Sequence, residues 1–249
     1  MHNEISEYAH LIGDVQIGTG NYISPGALIV GPITIGDNNY FGPNAVVGTA
    51  PQDNLISPIE HKLATLGLRT PDARLVIGNN NVIREFVTIH QGLTSVTEIG
   101  NHGFFMAYSH IAHDCKIKDH VKIANNVQMG GYSAILEGAY LGLSSILHQF
   151  TVVGAYSMIG MGSVVNRNIL PGNLVVGSPA RPIKINKIAL EKLGINGFEW
   201  ADGYFKNPSH ENIHPILQDN FKEFEKLVFE KENERERINR FRIENPMIT

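Results

Sequence analysis

Residues 107 to 115 read AYSHIAHDC. His110 and His113 stand three apart, and Asp114 follows the second directly, among small aliphatic, hydroxyl and amide side chains. Imidazole titrates near neutrality, which suits it to take a proton from a hydroxyl or amine as that group attacks a thioester carbonyl. Asp114, bonded to the far ring nitrogen, would fix the tautomer and stabilise the imidazolium. No serine or cysteine nucleophile is required, because direct attack assisted by one base suffices. A further histidine lies in LHQF, where Gln149 follows His148. Metal binding is disfavoured even with eleven histidines in the chain, since HIAH has no nearby pair of carboxylates or cysteines to complete a shell.

Residues so scattered need a scaffold, and the sequence supplies one with a period of six. Leu11, Ile17, Ile23, Ile29, Ile35, Phe41 and Val47 are evenly spaced; Ile77, Ile83 and Ile89 resume the spacing, and it runs unbroken from Ile99 through Phe105, Ile111 and Ile117 to Val165. Four positions after most anchors the residue is small or β-branched, as at Ala27, Ser109, Ser133 and Ser145. Cys115 occupies one of these slots, so packing explains it best. Neither the helical nor the strand period gives six. A triangular solenoid does: each hexapeptide makes one short strand and one corner, three make a coil, and the anchors stack inside. Gly, Asn and Asp in IGDNNYFG, IGNNNVIRE and IANNVQMGG belong at corners, where the backbone turns left-handed.

Eighteen residues then equal one coil, about 4.8 Å along the axis. Eighteen steps from His113 lead to Gly131 and eighteen more to Gln149, while the same steps from Asp114 give Tyr132 and Phe150. His113, Gly131, Tyr132, His148 and Gln149 are therefore expected on one corner of neighbouring coils. A backbone N–H at Gly131 would reach an oxyanion with no side chain in the way.

Two insertions break the count, 49–74 and 91–98, and the first is too long for a corner. After Val165, NRNILPGNLVVGSPARPIK marks the exit from the solenoid. INKIALEKLG and the stretch at about 213–240 read as helices, and KENERERINR as a solvated helix face. The expected organisation is a β-solenoid over 1–183 and a small α-helical domain over 184–249.

Composition narrows the class. At 249 residues, 43% hydrophobic, the chain buries a substantial core. A net charge of −4 lacks the basic excess of a nucleic-acid binder. The lone cysteine excludes an internal disulfide framework, and the start MHNEISEYAH has no basic and apolar leader pattern. No apolar run is long enough to span a bilayer. Cytoplasmic residence is the expectation.

NVIREFVTIHQG, MAYSHIAHDC, ANNVQMGG, LHQF and the earlier PQD, in that order, resemble the motifs of the UDP-N-acetylglucosamine O-acyltransferases that begin lipid A synthesis. The similarity spans most of residues 10 to 195. It implies a left-handed parallel β-helix, although the general crossover rule favours the opposite hand. It implies a homotrimer with active sites in clefts between subunits, and transfer of a hydroxyacyl chain from acyl carrier protein to the sugar 3-hydroxyl, with no bound cofactor. Carried onto this sequence, it makes His113 the general base, Asp114 its partner and Gly131 the oxyanion-side donor. Asp53 and His110 become sugar contacts, His148 and Gln149 contacts near substrate and acyl chain, and Asn186 a nucleotide contact.

The departures cluster at the substrate. Tyr132 stands where the family usually has histidine, Leu55 where it has lysine, and Ile188 where it has an acidic uridine contact. Lys192 and Leu193 replace paired arginines near the diphosphate, which removes bidentate phosphate binding. Tyr132 and Lys192 are still expected to touch substrate. The exit VVGSPARPI looks more like coenzyme-A-dependent hexapeptide acyltransferases. Three readings stand: an acyltransferase using acyl carrier protein and a nucleotide sugar, a coenzyme-A-dependent sugar O- or N-acyltransferase, and a non-catalytic trimeric scaffold. Lys116, Lys118 and Lys122, with Arg181 and Lys184 elsewhere, read first as solvated lysines, with a meeting surface for an acidic carrier as the alternative.

Overall fold

The computed structural model describes residues 2–54, 56–68, 74–209 and 211–244, so Leu55 and residues 69–73 of the first insertion lie outside the described residues. Short strands of mostly two or three residues form three parallel sheets, and each strand pairs with the third strand before and after it in sequence. The first sheet runs from Glu4–Ile5 to Asn173–Gly177, the second from His10–Ile12 to Val164–Val165, and the third from Val15–Ile17 to Val152–Val153. The result is a left-handed parallel β-helix of about 9 turns.

The anchors decide this register. Ile23, Phe41, Ile83, Phe105, Ile111 and Ile123 are fully enclosed, in one continuous core, and each such side chain contributes about 1.5–3 kcal/mol of burial. Lys116 pairs with Ala134 and Ile135 with Val153, the eighteen-residue coil. Insertions stretch the offset locally: Tyr40 pairs with Val82, and Thr88 with His110.

The corners differ from expectation in one respect. Asn38, Asn44, Asn80 and Asn126 do adopt positive φ, but so do Phe86, Tyr108, Tyr132, Phe150 and Tyr156. Bulky residues resist this backbone. Stacking across coils offsets the strain, with Phe86 on Tyr108 at 4.9 Å and Tyr132 on Phe150 at 4.7 Å between ring centroids.

Both insertions leave the solenoid at the corner between the second and third sheets. The first forms helix α1 (Pro58–Thr65), begun by a Ser57–Glu60 capping box, and folds back on its own chain. A Cβ on Gly13 would lie 2.6 Å from Gly67 Cα, so this approach needs glycine.

The last strand, Ala180–Ile185, turns back antiparallel on Asn173–Gly177, so the expected boundary at 183/184 falls within it. Helices α2 (Lys187–Glu191), α3 (Ala201–Lys206) and α4 (Gln218–Glu244) follow. α4 crosses the third sheet, packing Phe224 and Leu227 on Ala134, Leu136, Val152 and Ala155. Glu223 pairs with Lys118 at 2.8 Å and Glu230 with Lys116 at 3.7 Å. The expected solvated cluster is thus divided: α4 engages Lys116 and Lys118, and Lys122 lies on the first sheet. KENERERINR presents a solvated face at Glu232, Asn233, Arg235, Glu236 and Arg237 as expected, but Lys231 departs from it at only 3% exposed. No described helix is long and apolar enough to cross a membrane.

Candidate active site

His113 and Asp114 occupy the corner where both insertions converge. Asp114 has φ 58°, which turns its side chain to follow the imidazole. Its Oδ2 lies 2.6 Å from His113 Nδ1. An ionised carboxylate only accepts, so Nδ1 carries the proton and Nε2 is the acceptor nitrogen of the neutral ring. The 91–98 insertion wraps the same carboxylate: the Leu93, Thr94 and Ser95 N–H groups donate at 2.8, 3.0 and 2.5 Å, and the Ser95 hydroxyl at 2.8 Å. Burial pushes the Asp114 carboxyl up. The bonds from His113, Leu93 and Ser95 and the nearby His113 charge outweigh burial and hold it below its ordinary value.

Asp53, from the first insertion, brings Oδ2 to 4.0 Å from His113 Nε2. Gly131 lies against the other side of the ring. A Cβ there would sit 2.8 Å from both Cε1 and Nε2. The glycine backbone is not left-handed, so alanine is tolerated locally and the clash falls on the imidazole. Gly131→Ala is therefore expected to lower kcat/KM for transfer about 10²-fold with little change in thermal midpoint; unchanged steady-state kinetics would contradict the close packing.

Two histidines stack beside the pair. His110 Nδ1 lies 2.8 Å from Thr88 Oγ1, and its ring meets His90 edge-on at 5.1 Å. Burial and the charges of His90 and His113 push His110 down to about 4. It is neutral in the folded protein while an unfolded histidine titrates near 6.5. As pH falls from about 6.5 to 4 the unfolded chain takes up the proton first, so stability drops through that window and levels below it. In His110→Gln the loss of unfolding free energy between pH 7 and 4.5 should shrink by about 1–3 kcal/mol, read by denaturant titration at both pH values.

Residues 14–49 match a family model described as bacterial transferase hexapeptide (six repeats). The UDP-N-acetylglucosamine O-acyltransferase of Alkalilimnicola ehrlichii, which uses acyl carrier protein, is 41% identical over 125 residues, 49% of this chain and 48% of its own length. That of Gloeothece citriformis is 36% identical over 192 residues, 76% of this chain and 59% of its own. The chain thus spans about half the length of the first relative and under two thirds of the second. The crystal structure of the Francisella novicida UDP-N-acetylglucosamine acyltransferase superposes with a TM-score of 0.71 at 26% identity, covering 91% of this chain and 86% of that one. The Moraxella catarrhalis UDP-N-acetylglucosamine O-acyltransferase superposes with a TM-score of 0.70 at 25% identity, covering 93% and 95%. The chain is thus similar, over part of their length, to UDP-N-acetylglucosamine O-acyltransferases, and residues 14–49 carry the hexapeptide repeat of bacterial transferases.

Against that family's pattern, the structure gathers His113, Asp114, Gly131, Asp53 and His110 at one corner. His148 and Gln149 lie two coils on, exposed, in a cleft of about 250 Å³ also lined by Arg167, Lys231 and Arg235. Tyr132, expected to touch substrate, is 2% exposed. Its ring meets His113 edge-on at 5.0 Å, and its hydroxyl lies 3.4 Å from Thr94 Oγ1. It supports the imidazole instead of facing the cleft. Asn186 sits at another corner, its Nδ2 donating to the Tyr156 carbonyl at 2.8 Å. Lys192 ends α2 beside it, exposed. Within one chain neither is brought to His113. Cys115 is enclosed, its thiol pushed up to about 12 by burial, which suits packing.

Sequence reasoning passed over His90, the 93–97 cage and Lys231. His90 Nδ1 donates to the Ala50 carbonyl at 2.7 Å, and its buried Nε2 has no hydrogen-bond partner among the described residues. Its signal was present in TIHQG, two residues after Thr88, which pairs with His110.

Proposed function

We propose that this protein is an acyltransferase that moves a (3-hydroxy)acyl group from the thioester of acyl carrier protein to the 3-hydroxyl of UDP-N-acetylglucosamine or a related nucleotide sugar, in surface glycolipid synthesis. The observation that carries this reading is the His113–Asp114 pair, with Nδ1 held at 2.6 Å and Nε2 left as the base toward Asp53. Relatives whose names state that activity support it.

In the step, the sugar oxygen attacks the thioester carbonyl while its proton passes to His113 Nε2. Asp114 stabilises the imidazolium, and the Gly131 N–H meets the oxyanion of the tetrahedral intermediate. Collapse breaks the carbon–sulfur bond, and the sulfur leaves with the proton returned from Nε2. Asp53 orients a neighbouring sugar hydroxyl. His110, neutral, completes the sugar contacts.

The reading includes a homotrimer. Asn186 and Lys192, at a different corner from His113, would serve a neighbour's site across the subunit boundary. An apolar ridge at the corner between the first and second sheets favours such contact: Leu143 and Met161 are exposed there, with Ile146 beside them on the second sheet.

The deciding experiment incubates the protein with UDP-N-acetylglucosamine and either 3-hydroxyacyl carrier protein or 3-hydroxyacyl coenzyme A, and follows acylated nucleotide sugar by mass spectrometry. Product with the carrier protein is the expected result. Product with coenzyme A alone would move the assignment to the reading that VVGSPARPI favours, and no product with any donor would leave a scaffold.

A further inference from the structure

α4 carries Phe221, Phe224, Leu227 and Ile238 along one buried stripe, of which Phe224 and Leu227 pack on the solenoid. Lys231 occupies the same stripe, in a slot where an aliphatic residue would pack without the cost of burying a charge. Its Nζ donates to Glu234 Oε2 at 2.9 Å and to the Asp114 carbonyl at 3.4 Å, and lies 5.9 Å from the Tyr132 ring centroid. The last two contacts fall on the residues that hold the imidazole: Asp114 bonds its Nδ1, and Tyr132 meets its edge. Asp114 is in the left-handed region, and pinning its carbonyl fixes the plane of the following peptide. The carboxylate is then set from both ends, by Lys231 behind and by the 93–95 N–H groups in front.

We propose that Lys231 is a positioning residue for the His113–Asp114 pair, an ammonium carried by the C-terminal helix that clamps the Asp114 carbonyl and the Tyr132 ring so that His113 Nε2 faces the substrate. The inference rests on His113 acting as the base. Glu234 makes the cation tolerable in this slot. The helix is thereby part of the active centre and not a mere cap on the solenoid.

The test compares Lys231→Met and Lys231→Arg with wild type in two ways: steady-state transfer kinetics, and NMR of ¹⁵N-labelled imidazoles, in which the His113 Nδ1 proton is identified by its loss in His113→Ala. Lys231→Met should lower kcat about 10- to 100-fold with KM for both substrates within about threefold, and should shift or broaden the His113 Nδ1 proton signal. Lys231→Arg should restore most of both. The NMR arm reads the imidazole whether or not it is the base, so the clamp and the catalytic reading fail separately. An unchanged imidazole spectrum, or a kcat loss that Lys231→Arg does not recover, overturns the proposal. Should Lys231→Met fail to fold, Lys231→Gln gives the same two readouts.

Discussion

Replacing His113 with alanine lowers kcat/KM for acyl transfer by about 10²- to 10⁴-fold, the range that a positioned general base supplies. The fall should lie in kcat, because the imidazole acts on the proton in flight more than on the bound sugar. Folding should survive: Asp114 keeps its bonds from the 93–95 N–H groups, and the Asp114 backbone N–H keeps Thr97 Oγ1 at 2.8 Å. The assay is a side-by-side transfer rate with matched protein concentrations and a melting curve for each. A variant within tenfold of wild type would remove His113 from the chemistry, whatever its geometry.

The second large effect is expected for Asp114→Asn, and it should appear in two quantities at once. An amide turns part of the acceptor surface into a donor. At this site every partner donates to the carboxylate: His113 Nδ1, three backbone N–H groups and the Thr94 and Ser95 hydroxyls. Whichever way the amide is flipped, at least one buried N–H faces another. The imidazole also loses the acceptor that selects its tautomer, with a cost of about 10²- to 10⁴-fold in kcat/KM. Each bond to a charged group contributes about 1.5–3 kcal/mol, so unfolding free energy at pH 7 should fall by about 2–4 kcal/mol. The sign of the pH dependence is a separate check. The folded Asp114 carboxyl is held below its ordinary value, so its contribution is fully present above the unfolded value and is lost as pH falls beneath it. The gap between wild type and Asp114→Asn should narrow in acid, below the ordinary carboxylate range. A gap that stays constant from pH 7 to pH 3 would mean that the carboxylate charge does not hold the loop.

The solenoid and the line of His113, Gly131 and Gln149 were legible because the coil converts sequence distance into space by a fixed factor. Once the period of six is seen, adding eighteen is a structural measurement. The factor fails wherever the chain leaves the coil. Asp53 lies on an insertion, so no count could bring its carboxylate to 4.0 Å from the imidazole. His90 was hidden by the second insertion, which lengthens the pairing offset at Thr88 and His110. The same insertion supplied the hydrogen-bond cage, built mainly of backbone N–H groups that every residue type except proline would provide.

Tyr132 misled for a different reason. Alignment gives the position but not the direction of the side chain, and a left-handed backbone with Phe150 stacked beneath it turns the ring inward. The lysine pairings were hidden because 116 and 118 share a sheet with each other but not with 122, and their partners lie on a helix about a hundred residues later.

The contact between Lys231 and Asp114 joins residues 117 apart, whereas most coil contacts join neighbours 18 apart. The order in which a ribosome delivers the chain therefore separates two events. Coils can stack one on another as they emerge, since each needs only its predecessor. The third sheet, with Ala134, Leu136 and Val152 turned outward, stays bare until residues 218–244 arrive. A growing chain thus carries stacked coils with an apolar flank, and the corner of His113 and Asp114 gains its contact with Lys231 only once residues 218–244 have been made.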